Sequence, residues 1–442
     1  MKTKSFCLDS TINVVDAMCG AGKTSWAIQK INDEKVGFGT DEKLDKKYIY
    51  VTPFLEEIDR IIELTGAEFL EPESDKGKGS KFTHLKALVT LEKSIVTTHE
   101  LFKKLDLETL DMIEESGYTL IMDEVANVLE QYDITKSDIN MLIGQETIAI
   151  GEKGKVIWLD DSYNGKFSDM KVLAKSDNLI LQNGIAMFWT MNTRAFEAFE
   201  EVYVLTYLFD GQTQCYYYQM NDINFEKFSV KKINGGYELI EYSPTSEPRK
   251  ETFDNLNIFE DNDTGKGRPS TLNSNFDLRE KLTPRQRKSL LSSTWFRNAS
   301  EKELKQLNNN LNNYFRKIQP TDNERLIWST LKRVAPELKN AKCKLNKKGD
   351  RTKDNFLALN IRATNNYADR TAMAYVYNRF INPVESNFFR ENGITVNEDL
   401  LAVSDLIQFL FRGCIRNGKS MNCYIPSERM RNLLKDWSEY KI

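Results

Sequence analysis

The stretch AMCGAGKTS, residues 17–25, sets two glycines, a lysine and a threonine directly after the apolar run INVV. A strand that ends in a Gly-rich turn and restarts as a helix aims backbone N–H groups at one spot. The helix N-terminus adds positive potential there, so phosphate oxygens are the natural occupant. In that geometry Gly20 and Gly22 let the backbone approach the ligand, and Cys19, Ala21 and Ser25 complete the loop. Lys23 carries its ammonium to the β- and γ-phosphates, and Thr24 offers a hydroxyl to Mg²⁺. The stretch fits the phosphate-loop pattern GxxxxGK[ST] with Ala17 in place of the leading glycine.

A second constellation suits the first. YTLIMDEVAN delivers Asp123 and Glu124 to the end of an apolar run. An Asp–Glu pair often only opens a helix, where the dipole favours acids. At the carboxyl end of a buried strand the same pair does phosphoryl chemistry: Asp123 holds Mg²⁺ through its water shell, and Glu124 polarises the attacking water. Together the two motifs predict a nucleoside-triphosphate hydrolase that uses Mg²⁺, Thr24 and Asp123 facing the metal.

These residues need a sheet to hold them in register. The runs TINVVDA, KYIYVTP, KSIVTTH, YTLIMDE, GKVIWLD and VYVLTYLF alternate with helical stretches such as GKTSWAIQKI, LEEIDRIIEL and HLKALVTL. Strand alternating with helix predicts an α/β fold with mostly parallel sheets covered by helices, and ligands on such sheets bind at the carboxyl ends of the strands. At 442 residues the chain is too long for one core. The expected division is 1–210, carrying the phosphate loop and the acidic pair, and 211–442, carrying a small β and helical insertion. CYYYQM, KFSVKKI and YELIEYS read as antiparallel strands, and ERLIWSTLKRVAPEL reads as helix.

Composition narrows the partners. The chain is 40% hydrophobic with net charge −4. Residues 281–353 hold 19 Lys and Arg against 6 Asp and Glu, whereas the rest of the chain holds 42 against 59. A basic block in an acidic protein suggests a polyanion partner. Its aromatics Trp295, Phe296, Tyr314, Phe315 and Trp328 could stack on bases, but STWF and NYF fit a core better. Six scattered cysteines and two histidines give no metal-site or disulfide spacing. No long apolar run and no apolar N-terminal core occur, so a cytosolic chain with no membrane partner is expected.

The ordered motifs AMCGAGKT, YVTP, IVTTHE, MDEVA and QFLFRGCIR resemble those of superfamily 2 helicases, the DExD/H-box-like group. The resemblance implies two RecA-like P-loop NTPase domains with ATP between them. It implies nucleic-acid contacts from Thr52, Pro53, Thr97 and Thr98, and a coupling hydroxyl from Thr206. It further implies motif VI chemistry from Gln408, Arg412 and Arg416, which at spacings of four fall on one helical face. One arginine would stabilise charge on the transferred phosphoryl group; Arg416 is favoured, with Arg412 close behind. Arg362 and Thr364 stand where motif V belongs. The acidic box reads Asp-Glu-Val-Ala and lacks the usual final residue.

ATNNYADR, NRF with the following NP, PSERMRNLL and LSSTWF look like stretches of helicase-like proteins from phage replication gene clusters. That implies DNA more than RNA as the partner, and possible replication proteins beside it. The reading is an ATP-dependent DNA helicase or translocase. The alternative is a nucleotide-gated DNA-binding or loader ATPase that unwinds nothing, which a strand-displacement assay separates. A terminase motor ranks low, since the C-terminal third offers Gln and Arg where a nuclease needs spaced carboxylates.

Overall fold

A computed structural model describes residues 12–36, 46–53, 55–66, 68–74, 79–261, 270–279, 281–339, 345, 355–359 and 367–442. Two compact units are present: Met1–Ala17, Ala21–Tyr242 and Asn382–Val396 form the first, and Met18–Gly20, Ser243–Ile381 and Asn397–Ile442 the second.

The strands of the first unit are β1 (Ile12–Asp16), β2 (Lys47–Thr52), β3 (Ile95–Thr98), β4 (Tyr118–Asp123), β5 (Leu129–Gln131), β6 (Ile148–Ile150), β7 (Val156–Trp158), β8 (Leu179–Gln182), β9 (Ala186–Thr190), β10 (Glu201–Thr206), β11 (Phe225–Ile233) and β12 (Gly236–Glu241). Seven of them make the central sheet, in the order β12-β11-β1-β10-β4-β2-β3. Every neighbour pair in it is parallel except β11–β12. Side chains alternate strictly between two apolar cores. Val14, Val51, Leu120, Met122, Val202 and Val204 enter one, while Val15, Tyr48, Tyr50, Ile121, Tyr203 and Leu205 enter the other. Burial on both faces is what a parallel sheet under helices requires.

The α/β class with mostly parallel sheets matches the sequence expectation. Several details differ. The sheet continues across position 210, because β11 pairs with β1 in parallel. CYYYQM is not a strand but part of helix Thr213–Met220, with Cys215, Tyr216, Tyr217 and Tyr218 all buried. GKVIWLD does not join the parallel series: β6 and β7 form an antiparallel pair, and β5, β9 and β8 a separate antiparallel sheet. These pieces sit between β4 and β10 in the chain and form an antiparallel insertion within the first unit, whereas KFSVKKI and YELIEYS are the expected antiparallel strands, β11 and β12.

Residues 382–396 return to the first unit. Asn382 caps helix Pro383–Glu391 and Pro383 opens it. That helix buries Phe388 at 4.6 Å from the ring of Phe188, and Phe389 at 5.6 Å from that of Tyr216.

The second unit has strands β13 (Leu256–Ile258), β14 (Leu326–Ser329), β15 (Ala372–Tyr375) and β16 (Met421–Tyr424), all parallel in the order β13-β16-β15-β14. Here LIWS of ERLIWSTLKRVAPEL is a fully buried strand and not helix; only Ala335–Leu338 is α-helical, after a 3₁₀ turn at Asn323–Arg325. Trp295, Phe296, Tyr314, Phe315 and Trp328 are all buried, as the core reading of STWF and NYF expects, so none is free to stack on a base.

Candidate nucleotide site

The strand register places the chemistry in one row. Asp16 of β1 aligns with Thr206 of β10, Leu205 with Asp123 of β4, Val51 with Met122, and Thr52 with Thr98 of β3. The carboxyl ends of five strands therefore lie side by side, with only β10 between the phosphate-loop strand and the acidic strand. At about 4.8 Å per strand, that separation is roughly 10 Å, the scale of a triphosphate with its metal.

The loop itself has the required backbone. Gly20 and Gly22 take φ of 84° and 103°, the left-handed region open to glycine. Helix Lys23–Val36 starts at once, its early turn closed by Trp26 N–H donating to the Gly22 carbonyl at 2.8 Å. Lys23 Nζ donates to the Ala17 carbonyl at 2.5 Å. Cys19, Ala21, Gly22, Lys23, Thr24 and Ser25 are all partly exposed, and Gly20 fully so.

Asp123 ends β4, and its carbonyl meets His99 Nε2 at 2.8 Å, which ties the end of β4 to the helix after β3. Its carboxyl is pushed up to about 7, by burial first, then by Glu124 and Glu57, with Lys23 and Arg60 opposing. Glu124 follows with φ of 67°, costly for a residue with a side chain. Its N–H donates to the Leu205 carbonyl at 2.9 Å, which holds that turn in place. The next turn is anchored where Ala126 N–H donates to Gln214 Oε1 at 2.7 Å.

Four buried polar atoms cluster along this edge without a hydrogen-bond partner: Tyr50 Oη, Thr97 Oγ1, Thr206 Oγ1 and Glu124 Oε2. Leaving one such group unsatisfied costs about 1–3 kcal/mol. A set of them at strand ends marks a place that a polar ligand completes. A glycine cradle, a lysine, a hydroxyl and two acids fit ATP and Mg²⁺: Lys23 and the loop N–H groups would hold phosphates, Thr24 and Asp123 the metal.

Sequence reasoning missed Asp16. It is fully buried and accepts from the N–H groups of Leu208 (2.8 Å) and Phe209 (3.0 Å), so it locks the exit of β10 to the phosphate-loop strand. The signal was an acid at the end of the apolar INVV run.

Thr52 is buried at the end of β2, Pro53 follows it partly exposed, and Thr98 opens the short helix His99–Phe102 without a side-chain cap bond. Arg362 and Thr364 lie outside the described residues.

Gln408, Arg412 and Arg416 do not share a helical face. Helix Glu398–Leu410 stops two residues before Arg412, and Arg416 lies in a 3₁₀ turn, Cys414–Asn417. Two contacts end the helix. Cys414 N–H donates to the Arg370 carbonyl at 2.9 Å, and at Gly413 any Cβ would meet Met421 Sδ at 2.6 Å. Gln408 is half-buried, Arg412 buried with its guanidinium 5.9 Å from the Phe409 ring, and Arg416 exposed.

The stretches PSERMRNLL and NRF are structural in the second unit. Ser427 caps helix Glu428–Ser438, and Arg429 binds Asn378 Oδ1 (3.0 Å), the Arg379 carbonyl (2.6 Å) and Asp399 (2.5 Å).

Among known proteins, residues 271–438 match the family model of the YonV C-terminal Rossmann-like domain, and residues 129–189 that of the YonV middle domain. The latter span runs from β5 to β9, the antiparallel insertion described above. Two solved structures of XPD, one the apo form and one described as the helicase, align over 96% of this chain, and over 95% and 90% of their own. Their TM-scores are 0.47 and 0.41, at 12% and 10% identity. The SPbeta prophage-derived uncharacterized protein YonV of Bacillus subtilis (strain 168) is 36% identical over 441 residues, covering 97% of this chain and 98% of its own. Identity of that extent, nearly end to end, means that the chain belongs to the YonV family.

Proposed function

We propose that the chain is an ATP-dependent nucleic-acid motor, a helicase or translocase acting on DNA. The observation that carries this reading is the row of strand ends in the first unit: Gly22, Lys23 and Thr24 follow the end of β1, and Asp123 and Glu124 stand at the end of β4, with only β10 between. The helicase-type order of the motifs around that row and the prophage-derived relative support a DNA partner in a phage setting.

Each residue has a task. The loop N–H groups and Lys23 bind and orient the phosphates. Glu124, with one carboxylate oxygen unpartnered, takes up the proton of the attacking water. The metal, when bound to Thr24 and Asp123, neutralises charge on the phosphate oxygens. Thr98, partly exposed at the end of β3 in register with the buried Thr52, stands where a nucleic-acid backbone could be gripped. Such contacts make affinity fall with salt and depend little on sequence.

The test is ATP turnover by the full chain, alone and with single-stranded DNA, duplex DNA, forked DNA and RNA. Lys23→Ala should abolish turnover while leaving the fold intact; near-normal turnover in that variant overturns the reading. Arg416→Ala and Arg412→Ala, run beside it, assign the arginine that serves the phosphoryl group. Turnover indifferent to every nucleic acid, with no strand displacement, favours the loader alternative.

A further inference from the structure

The β11–β12 hairpin does more than extend the sheet. Ser229 of β11 lies level with the end of β1, where its hydroxyl donates to the Asp16 carbonyl at 3.1 Å. Beyond that point β11 runs on to Ile233 and turns back, so that Lys232 pairs with Tyr237 of β12. Three residues past the strand end, at ~3.3 Å each, put Tyr237 about 10 Å above the carboxyl edge. That is the level of the phosphate loop.

There the ring lies against the loop. A Cβ on Gly22 would fall 2.2 Å from Tyr237 Cε1 and 2.6 Å from Cδ1, so glycine is the only residue the ring tolerates before Lys23. The hairpin is fastened to the loop's own helix by one side chain. Gln29 Oε1 accepts from Tyr237 N–H at 2.8 Å, and Gln29 Nε2 donates to the Tyr237 carbonyl at 3.0 Å. Gly236 makes room for that amide, since a Cβ there would come within 2.7 Å of Gln29 Oε1. Tyr237 is partly exposed and, like Ala21 and Leu239, packs against the edge of the apolar core. The double-sided fastening holds the backbone of Tyr237, so its side chain starts from a fixed point beside the loop.

Orientation of the ligand follows from the row of strand ends. The acids lie on the β10–β4 side of the loop, so the terminal phosphate and its metal face that way. The base must then point to the opposite side, where β11 and β12 stand. We propose that Tyr237 is the platform on which the base of the bound nucleoside triphosphate stacks. This rests on the nucleotide-hydrolase reading above. Stacking uses the face that every base has, so the platform favours purines over pyrimidines without choosing sharply between adenine and guanine.

The experiment is calorimetric binding of two probes, the non-hydrolysable analogue AMP-PNP and inorganic tripolyphosphate, each with Mg²⁺, to the full chain. The variants are Tyr237→Leu, which keeps apolar bulk, and Tyr237→Phe, which keeps the ring; thermal denaturation checks that both fold. The expected result is about a tenfold loss of AMP-PNP affinity in Tyr237→Leu, tripolyphosphate affinity unchanged, and both retained in Tyr237→Phe. Equal weakening of both probes, or of neither, overturns the platform while leaving the hydrolase reading in place. A wild-type chain that binds neither probe overturns both.

Discussion

Asp123 shows how burial and neighbouring charge act on a single residue. Its carboxyl is pushed from an ordinary 3.8 up to about 7 by burial and by the neighbouring Glu124 and Glu57. Between those values the folded chain holds a proton that the unfolded chain has released. Stability from this group is therefore full below about pH 4 and is lost as pH rises through 7. In EDTA, urea denaturation should show that loss, and Asp123→Asn should remove it. On the proposed role of Asp123, Mg²⁺ must displace the same proton, so metal affinity should fall by up to about tenfold per pH unit below 7. A Mg²⁺ titration at pH 5.5 and 7.5 reads this directly; equal affinity at both would mean that Asp123 does not face the metal.

At the scale of elements, what ends a segment matters as much as what builds it. The central strands were legible because strands buried on both faces read as short continuous apolar runs set between helical stretches, and the Gly-rich loop because only a few residue types fit it. LIWS was not legible: the charged residues on both sides impose a helical rhythm, while the strand is fixed by pairing with β15, far along the chain. The end of helix Glu398–Leu410 was hidden for the same reason. Local spacing carries the helix through Arg416, but the Arg370 carbonyl and the Met421 sulfur divert it at Gly413. Gly413→Ala should therefore destabilise the protein by about 1–3 kcal/mol. The sulfur can swing aside, whereas the Arg370 carbonyl, 3.1 Å from the new Cβ, belongs to the backbone and cannot. Combined with Met421→Ala, the substitution should cost less than the two separate losses summed, which thermal denaturation of the double-mutant cycle would show. Strict additivity would mean that the sulfur swings aside and that only the Arg370 carbonyl resists the new Cβ.

For the whole molecule, the first unit is discontinuous in sequence. Its sheet is complete at Tyr242, yet its core needs Phe388 and Phe389 from helix Pro383–Glu391. Loss of a buried Phe side chain costs about 3–5 kcal/mol, and a domain's entire stability is about 5–15 kcal/mol. A fragment ending at 242 should lack a cooperative unfolding transition. The same fragment joined by a flexible linker to residues 382–396 should regain one, as followed by circular dichroism on heating. A cooperative fragment 1–242 would show that the returning helix is dispensable.

This arrangement sets a clock on synthesis. At ribosomal rates of ~5–20 residues per second, the chain between Tyr242 and the two phenylalanines takes on the order of ten seconds to emerge. During that interval the nascent first unit presents an uncovered aromatic seat around Phe188 and Tyr216. The polypeptide that will fill it is still being made, so in the cell a chaperone is the natural temporary tenant of that seat.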